Sequence, residues 1–293
     1  MGDFLSRLVR EKPLGAFGGI VVLLLLFTGI FADVLAPFPM SEPHMTDRLT
    51  GPSGKYLLGT DQLGRDVLSR IIYGARVSLV VGLAATSINM VVALLIGTTT
   101  GFFGGKLDMV VQRFVDAWMA FPGLLILITV MSLVGQGLLQ TILVLGISGG
   151  IGGSRIARSA VIGIRENMYL QAAEAFGASA TRTIFRHVLP NIMAPMIITF
   201  TVTIGGVIMA EASLSFLGFG LPPDVATWGG MLSNDGRRFM ELAPWLAIWP
   251  GLALTIVVYS LNMLGDALRD LLDPRLKGGV GRLGADNRAK SGY

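Results

Sequence analysis

The stretch Ala117–Ser154, AWMAFPGLLILITVMSLVGQGLLQTILVLGISGGIGGS, carries no charged residue. A bilayer core of about 30 Å is crossed by a helix of about 20 apolar residues, so this run is too long for one crossing. Gly135-Gln136-Gly137 interrupts it with a polar residue between two glycines, and the run reads as two helices joined by a tight hairpin. Four more charge-free runs lie on either side of it, Leu14–Ala32, Val77–Gly105, Val188–Ala210 and Leu242–Gly265, each long enough for one crossing. The expected fold class is therefore an all-α integral membrane protein with six transmembrane helices.

Composition agrees. Hydrophobic residues make up 52% of the chain and charged residues 14%, with a mean hydropathy of +0.67, outside the range of soluble domains. Arg7, Arg10 and Lys12 ahead of the first run resemble a signal-peptide start. Its apolar core is longer than a signal h-region, however, and no small-x-small cleavage site precedes Asp33, so the segment is read as a retained helix. The chain has no cysteine, which removes disulfides and thiolate metal sites. A pI near 9.6 raises the question of nucleic acid, but the basic residues flank apolar runs, and membrane topology accounts for them. Most of the 23 basic residues fall on one side when the N-terminus is placed in the cytoplasm. The positive-inside bias then puts both termini and the loop around Gln171 on the cytoplasmic side.

That loop holds the most informative pattern. It reads Gln171-Ala172-Ala173-Glu174-Ala175-Phe176-Gly177, then nine residues, then His187-Val188-Leu189-Pro190. Alanine and glutamate favour helix and Gly177 permits a sharp turn, so helix, turn, helix is expected. The small side chains of Ala172 and Ala173 would allow another protein's backbone to come close. The spacing resembles the cytoplasmic coupling loop of ABC importer permeases, with Gln171 in place of the family's glutamate and His187 in place of its isoleucine. Within that family, Gly59-Thr60-Asp61-Gln62-Leu63-Gly64-Arg65-Asp66 is similar to the dipeptide, oligopeptide and nickel branch. So are Ser154-Arg155-Ile156-Ala157-Arg158, Glu211-Ala212-Ser213-Leu214-Ser215-Phe216-Leu217-Gly218, Trp228-Gly229-Gly230-Met231-Leu232 and Leu272-Asp273-Pro274-Arg275.

The resemblance implies a type I ABC importer permease fold, one helix wrapping a five-helix core. It divides the chain into a cytoplasmic segment 1–13, a first transmembrane helix 14–36, an external loop 37–76, a permease core 77–266 with its coupling loop at 162–190, and a cytoplasmic tail 267–293. Val67, Leu68, Ile71 and Ile72 oppose Arg65, Asp66, Ser69 and Arg70, so the end of the external loop is expected to be an amphipathic helix in the interface plane. The resemblance further implies half of a translocation pathway for di- or oligopeptides, with nickel chelates or oligosaccharides as alternative cargo. Its partners would be a second homologous permease, two ATPase subunits, an external solute-binding protein and the lipid bilayer of a prokaryotic inner membrane. Gln171, Ala172, Ala173, Glu174, Gly177, Leu189 and Pro190 would contact the ATPase, and Glu211 is a candidate gate residue.

The chain itself is expected to be no enzyme and to hold no cofactor, ATP and Mg being bound by partners. Gly51-Pro52-Ser53-Gly54-Lys55-Tyr56 lacks the glycine spacing and the Ser or Thr of a phosphate loop. His44 and His187, the two histidines, fall on opposite sides of the membrane, so no metal site is expected. Asp116, Glu211 and Asp266 sit at run ends where side chains reach water, which argues against an ion-driven transporter. Gly97/Gly101 and Gly149/Gly153 have the spacing of close helix contacts. Pro122 and Pro250 are expected to kink their helices.

Overall fold

The computed structural model describes residues 2–272, in which the regular structure is helical and Thr60–Asp66 forms only an isolated bridge. In chain order the main elements are α1 (Gly2–Glu11), α2 (Pro13–Ile30), the single turn α3 (Ala32–Leu35), α4 (Val67–Phe103), α5 (Gly105–Ala120), α6 (Gly123–Val134) and α7 (Leu138–Arg165). There follow α8 (Met168–Ala175), α9 (Ala180–Thr183), a π-turn at Ile184–Val188, α10 (Leu189–Phe216), α11 (Trp228–Leu232), α12 (Asn234–Phe239) and α13 (Trp245–Leu272).

Four helices, at Pro13–Ile30, Val67–Phe103, Ala180–Phe216 and Trp245–Leu271, are long and apolar enough to cross a bilayer. The pair α5 and α6 makes a fifth candidate, bent by 92° at Phe121-Pro122. The kink expected at Pro122 is present, and it breaks the span outright. Both break residues are extended, with ψ of 145° and 124°, and for Phe121 this is what the following proline ring demands. At 12 residues α6 rises only about 18 Å, too little to cross alone. The sixth expected span, α7, has 28 residues but falls short on composition, with Gly149, Gly150, Gly152 and Gly153 at its middle and Arg155, Arg158 and Arg165 in its second half. The hairpin between α6 and α7 forms where expected, with Gly135 at φ 90° and Gln136 Nε2 donating to Gly218 O at 2.6 Å. Pro250 lies inside α13, which runs on past it to Leu272.

Val67–Arg76 is not a separate helix lying in the interface. It forms the first turns of α4, and its polar face is turned into protein: Ser69 Oγ accepts from Phe38 N at 3.0 Å and Arg70 Nη1 donates to Met40 O. Trp228 lies against Gly74 and donates from Nε1 to Ile71 O at 3.1 Å, which completes the cover.

Glycines set the closest helix approaches. A β-carbon at Gly97 would lie 2.5 Å from Ser154 O, and one at Gly146 or Gly150 would lie 2.7 or 2.6 Å from the β-carbon of Ile88 or Val92. Gly97 and Gly101 therefore do mediate a close contact of α4 with α7, whereas on α7 the contacting pair is Gly146/Gly150. Gly149 and Gly153, the pair read from sequence, lie one residue further round and face the Asn89 side chain. The first span docks on the last in the same way, Gly15 against Ala267 and Gly18 against Ser260. Arg76 ties α2 to α4 through Gly29 O at 2.9 Å and Asp33 at 2.8 Å. One apolar cluster, Val81, Ala85, Met131, Leu145 and Val207, unites α4, α6, α7 and α10.

Candidate functional site

The two motif regions sit at opposite ends of α4, a rod of 37 residues and thus about 55 Å. Gly59–Asp66 precedes its start. Phe102, near its end, shares a cluster with Ala157, Val161, Leu170, Val188 and Ile192.

At the second end, α8 closes on a Schellman cap: Gly177 takes φ 80°, and Ala178 N donates to Ala173 O at 3.0 Å. Ser179 Oγ then accepts from Arg182 N at 3.3 Å and starts the next helix. The expected helix, turn, helix is present. Pro190 has no N–H to give the preceding turn, and the backbone there widens into the π-turn, with Leu189 N donating to Ile184 O and Asn191 Nδ2 to His187 O at 2.6 Å. Leu189 is half-buried and Pro190 exposed, while the His187 ring lies tilted beside Tyr169 with ring centres 6.4 Å apart.

The pair is held to the bundle by Leu170, 2% exposed. Ala173, one turn on, is half-buried on the same side, so it is not on the outward face. Met168 is 86% exposed and Phe176, beside the cap, 93%. The sequence reading missed both, although an aromatic ring directly before the turn glycine was visible. The side chains at Gln171, Ala172, Glu174 and Ala175 lie outside the described residues.

At the other end the Gly59–Asp66 motif is a packed knot. Thr60, Asp61, Arg65 and Asp66 are all buried. Asp61 accepts from Leu63 N and Arg65 N, both at 2.9 Å, and from Arg65 Nε at 2.6 Å, with Arg70 Nε at 3.8 Å. Asp66 caps α4 by accepting from Ser69 N at 2.7 Å. Gly59 and Gly64 take φ 82° and 74°, and a side chain at Gly64 would collide with the His44 carbonyl. Trp245 Nε1 donates to Thr60 O at 3.1 Å and so fixes the start of α13 to the knot. Asp47, outside the knot, accepts from Lys55 Nζ and Tyr56 Oη, each at 2.7 Å. The Lys55 and Tyr56 bonds hold the Asp47 carboxyl below its ordinary value, and the Asp47 bond raises Lys55 to about 12.

Glu211 departs from expectation. It is 1% exposed, not a solvated helix end, with Ser215 Oγ donating to Oε1 at 2.7 Å. The chain beyond α10 folds back over it: Gly220 lies on Ser215 and Gly229 on the Ala212 carbonyl. Asp116 and Asp266 do reach the surface, Asp116 beside Arg155 and Arg113. Arg158 clamps α7 to α5 through two bonds to Asp108, 2.7 and 2.6 Å. Arg155 and Arg158, carried in the sequence reading only as part of a motif, therefore hold α5 to α7.

A multi-span helical bundle with a capped helix pair between two of its spans defines a membrane permease subunit. Residues 93–278 match the family described as binding-protein-dependent transport system inner membrane component, and the chain belongs to that family. It is 38% identical to the dipeptide transport system permease protein DppC of Alkalihalophilus pseudofirmus, over 92% of this chain and 88% of that one. It is also 37% identical to the glutathione transport system permease protein GsiD of Pectobacterium atrosepticum, over 94% and 91%. Against the oligopeptide transport system permease protein OppC of Bacillus subtilis the identity is 35%, over 92% and 88%.

Proposed function

We propose that this chain forms half of the translocation pathway of an ATP-driven importer of di- and oligopeptides, paired with a second permease, two ATPase subunits that bind ATP and Mg, and an external solute-binding protein. The observation that carries the reading is the helix pair Met168–Pro190, with its left-handed cap at Gly177, anchored by Leu170 and projecting Met168 and Phe176 from the bundle. Closure of the ATPases pushes on this pair and rocks the bundle between inward-open and outward-open states. Glu211 lies under the segment that folds back after α10, so a gating role runs through movement of that segment, not through direct contact with a partner.

A buried acid within a span also favours a second reading, an ion-driven transporter. Reconstitution of the whole complex in proteoliposomes separates the two. Labelled dipeptide is expected to accumulate only with ATP and loaded binding protein, and a protonophore is expected to leave the rate unchanged. Accumulation on a proton gradient without ATP overturns the proposal. Nickel chelates and oligosaccharides are the competing cargoes, and the ligand held by the binding protein decides among them.

Orientation has its own test, helped by the absence of native cysteine. Ser53→Cys is expected to react with an impermeant thiol reagent in intact cells, and Ser179→Cys to react only after the cells are opened. The reverse pattern inverts the topology and removes the helix pair from the cytoplasm.

A further inference from the structure

We infer that the cleft around Asn89 is a contact site for the peptide backbone of the cargo during its passage. The inference rests on the importer reading above and adds a place and a chemistry to it. The cleft has a volume of about 290 Å3 and is lined by Asn89 of α4, Trp118 and Gly123 on either side of the α5–α6 break, Ser148 of α7, and Thr203 and Gly206 of α10, among apolar neighbours. Asn89 and Thr203 are near the middles of their helices, so the cleft lies at mid-height of the bundle.

Three observations point to a polar occupant. The Asn89 amide and the Ser148 hydroxyl, both half-buried, make no hydrogen bond among the described residues and so stand open to a partner from outside the chain. Gly149 and Gly153 leave the Asn89 side chain its space; a β-carbon at Gly149 would strike its Nδ2. Next to the cleft, a void of about 10 Å3 shares Asn89 and Thr203 and receives Thr86, whose hydroxyl is 99% buried by residue and without a partner. Amide and hydroxyl groups thus form a seam from α7 across α4 to α10.

The break at Phe121-Pro122 shows which environment this face meets. Its backbone is non-helical and its residues are exposed on this chain. Backbone of that kind is excluded from hydrocarbon and tolerated only against protein or a water-filled cavity. No charged side chain lines the cleft, so it selects no particular charge on a cargo. Neutral donors and acceptors in an apolar wall match the amide groups common to every peptide, whatever its side chains.

The test uses the assembled complex in proteoliposomes with trialanine as the probe. Ser148→Cys is expected to react with a small hydrophilic methanethiosulfonate, and millimolar trialanine, unlike glucose, is expected to slow the reaction several-fold. A thiol that stays unreactive is covered by lipid or the partner permease, and one that reacts without protection by trialanine faces water alone; either result overturns the site. Asn89→Leu is expected to cut trialanine import about tenfold, the size of one or two lost hydrogen bonds, while binding-protein-stimulated ATP hydrolysis persists. Full import by this variant, or parallel loss of import and ATP hydrolysis, also overturns it. Failure of the wild-type complex to import trialanine refutes the peptide reading and the site together, whereas wild-type import with an unprotected thiol refutes the site alone.

Discussion

Gly177→Val is expected to leave the permease assembled in the membrane but to lose most transport and most stimulation of ATP hydrolysis by loaded binding protein, while Gly177→Asn keeps both. A side chain at Gly177 would meet nothing within 4 Å, so the effect cannot come from crowding. It comes from φ 80°, a left-handed conformation that costs an ordinary residue roughly 1–2 kcal/mol and a β-branched one more, whereas asparagine adopts it readily. A penalty of that size lowers the population of the correctly capped loop by about tenfold. Coupled ATP hydrolysis in the reconstituted complex is the readout, with membrane levels of the variants as control. Equal activity of the Val and Asn variants would show that the cap geometry is not what the partner reads.

Asp61→Ala is expected to give the largest loss of stability. Asp61 and Arg65 are 5% and 6% exposed, and the substitution leaves the guanidinium of Arg65 buried without its carboxylate, with the amides of Leu63 and Arg65 also unpaired. Breaking a buried pair in this way costs about 3–5 kcal/mol. Lys55→Ala removes an exposed pair with Asp47 and is expected to cost at most about 1 kcal/mol. Thermal unfolding of the detergent-purified complex measures both. An Asp61→Ala protein as stable as Lys55→Ala would mean that the knot is not a structural element.

Hydropathy located the apolar runs because the cost of placing a charge in a bilayer leaves long uncharged stretches, and Gly135-Gln136-Gly137 marked the hairpin by local turn chemistry. The cap at Gly177 was legible for the same reason. What depends on contacts far along the chain was not. Pro122 announced a kink, but nothing local announced that Asp108 and Asp116 would pair with Arg158 and Arg155 and hold α5 against α7. The polar face of Val67–Arg76 looked destined for the membrane surface until Phe38, Met40 and Trp228 covered it. Glu211 at the end of an apolar run looked solvated because the fold-back of the following chain leaves no local signature. Ala173 read as an outward docking position in sequence, and only the burial of Leu170 one turn before it shows that it faces the bundle.

The interlocking of α4 with α7 has a mechanical consequence. Backbones in contact through Gly97, Gly146 and Gly150 cannot slide past one another by a single residue, since Ile88 or Val92 would then have to occupy the space of a neighbouring main chain. The two helices therefore behave as one stiff beam. Phe102 and Val161, at one end of the beam, grip Leu170 of the projecting helix pair, and the Asp61 knot holds its far end to the start of α13. On the importer reading proposed above, a push at the near end would appear as tilt at the far end, carried by leverage and not by a chain of changing hydrogen bonds.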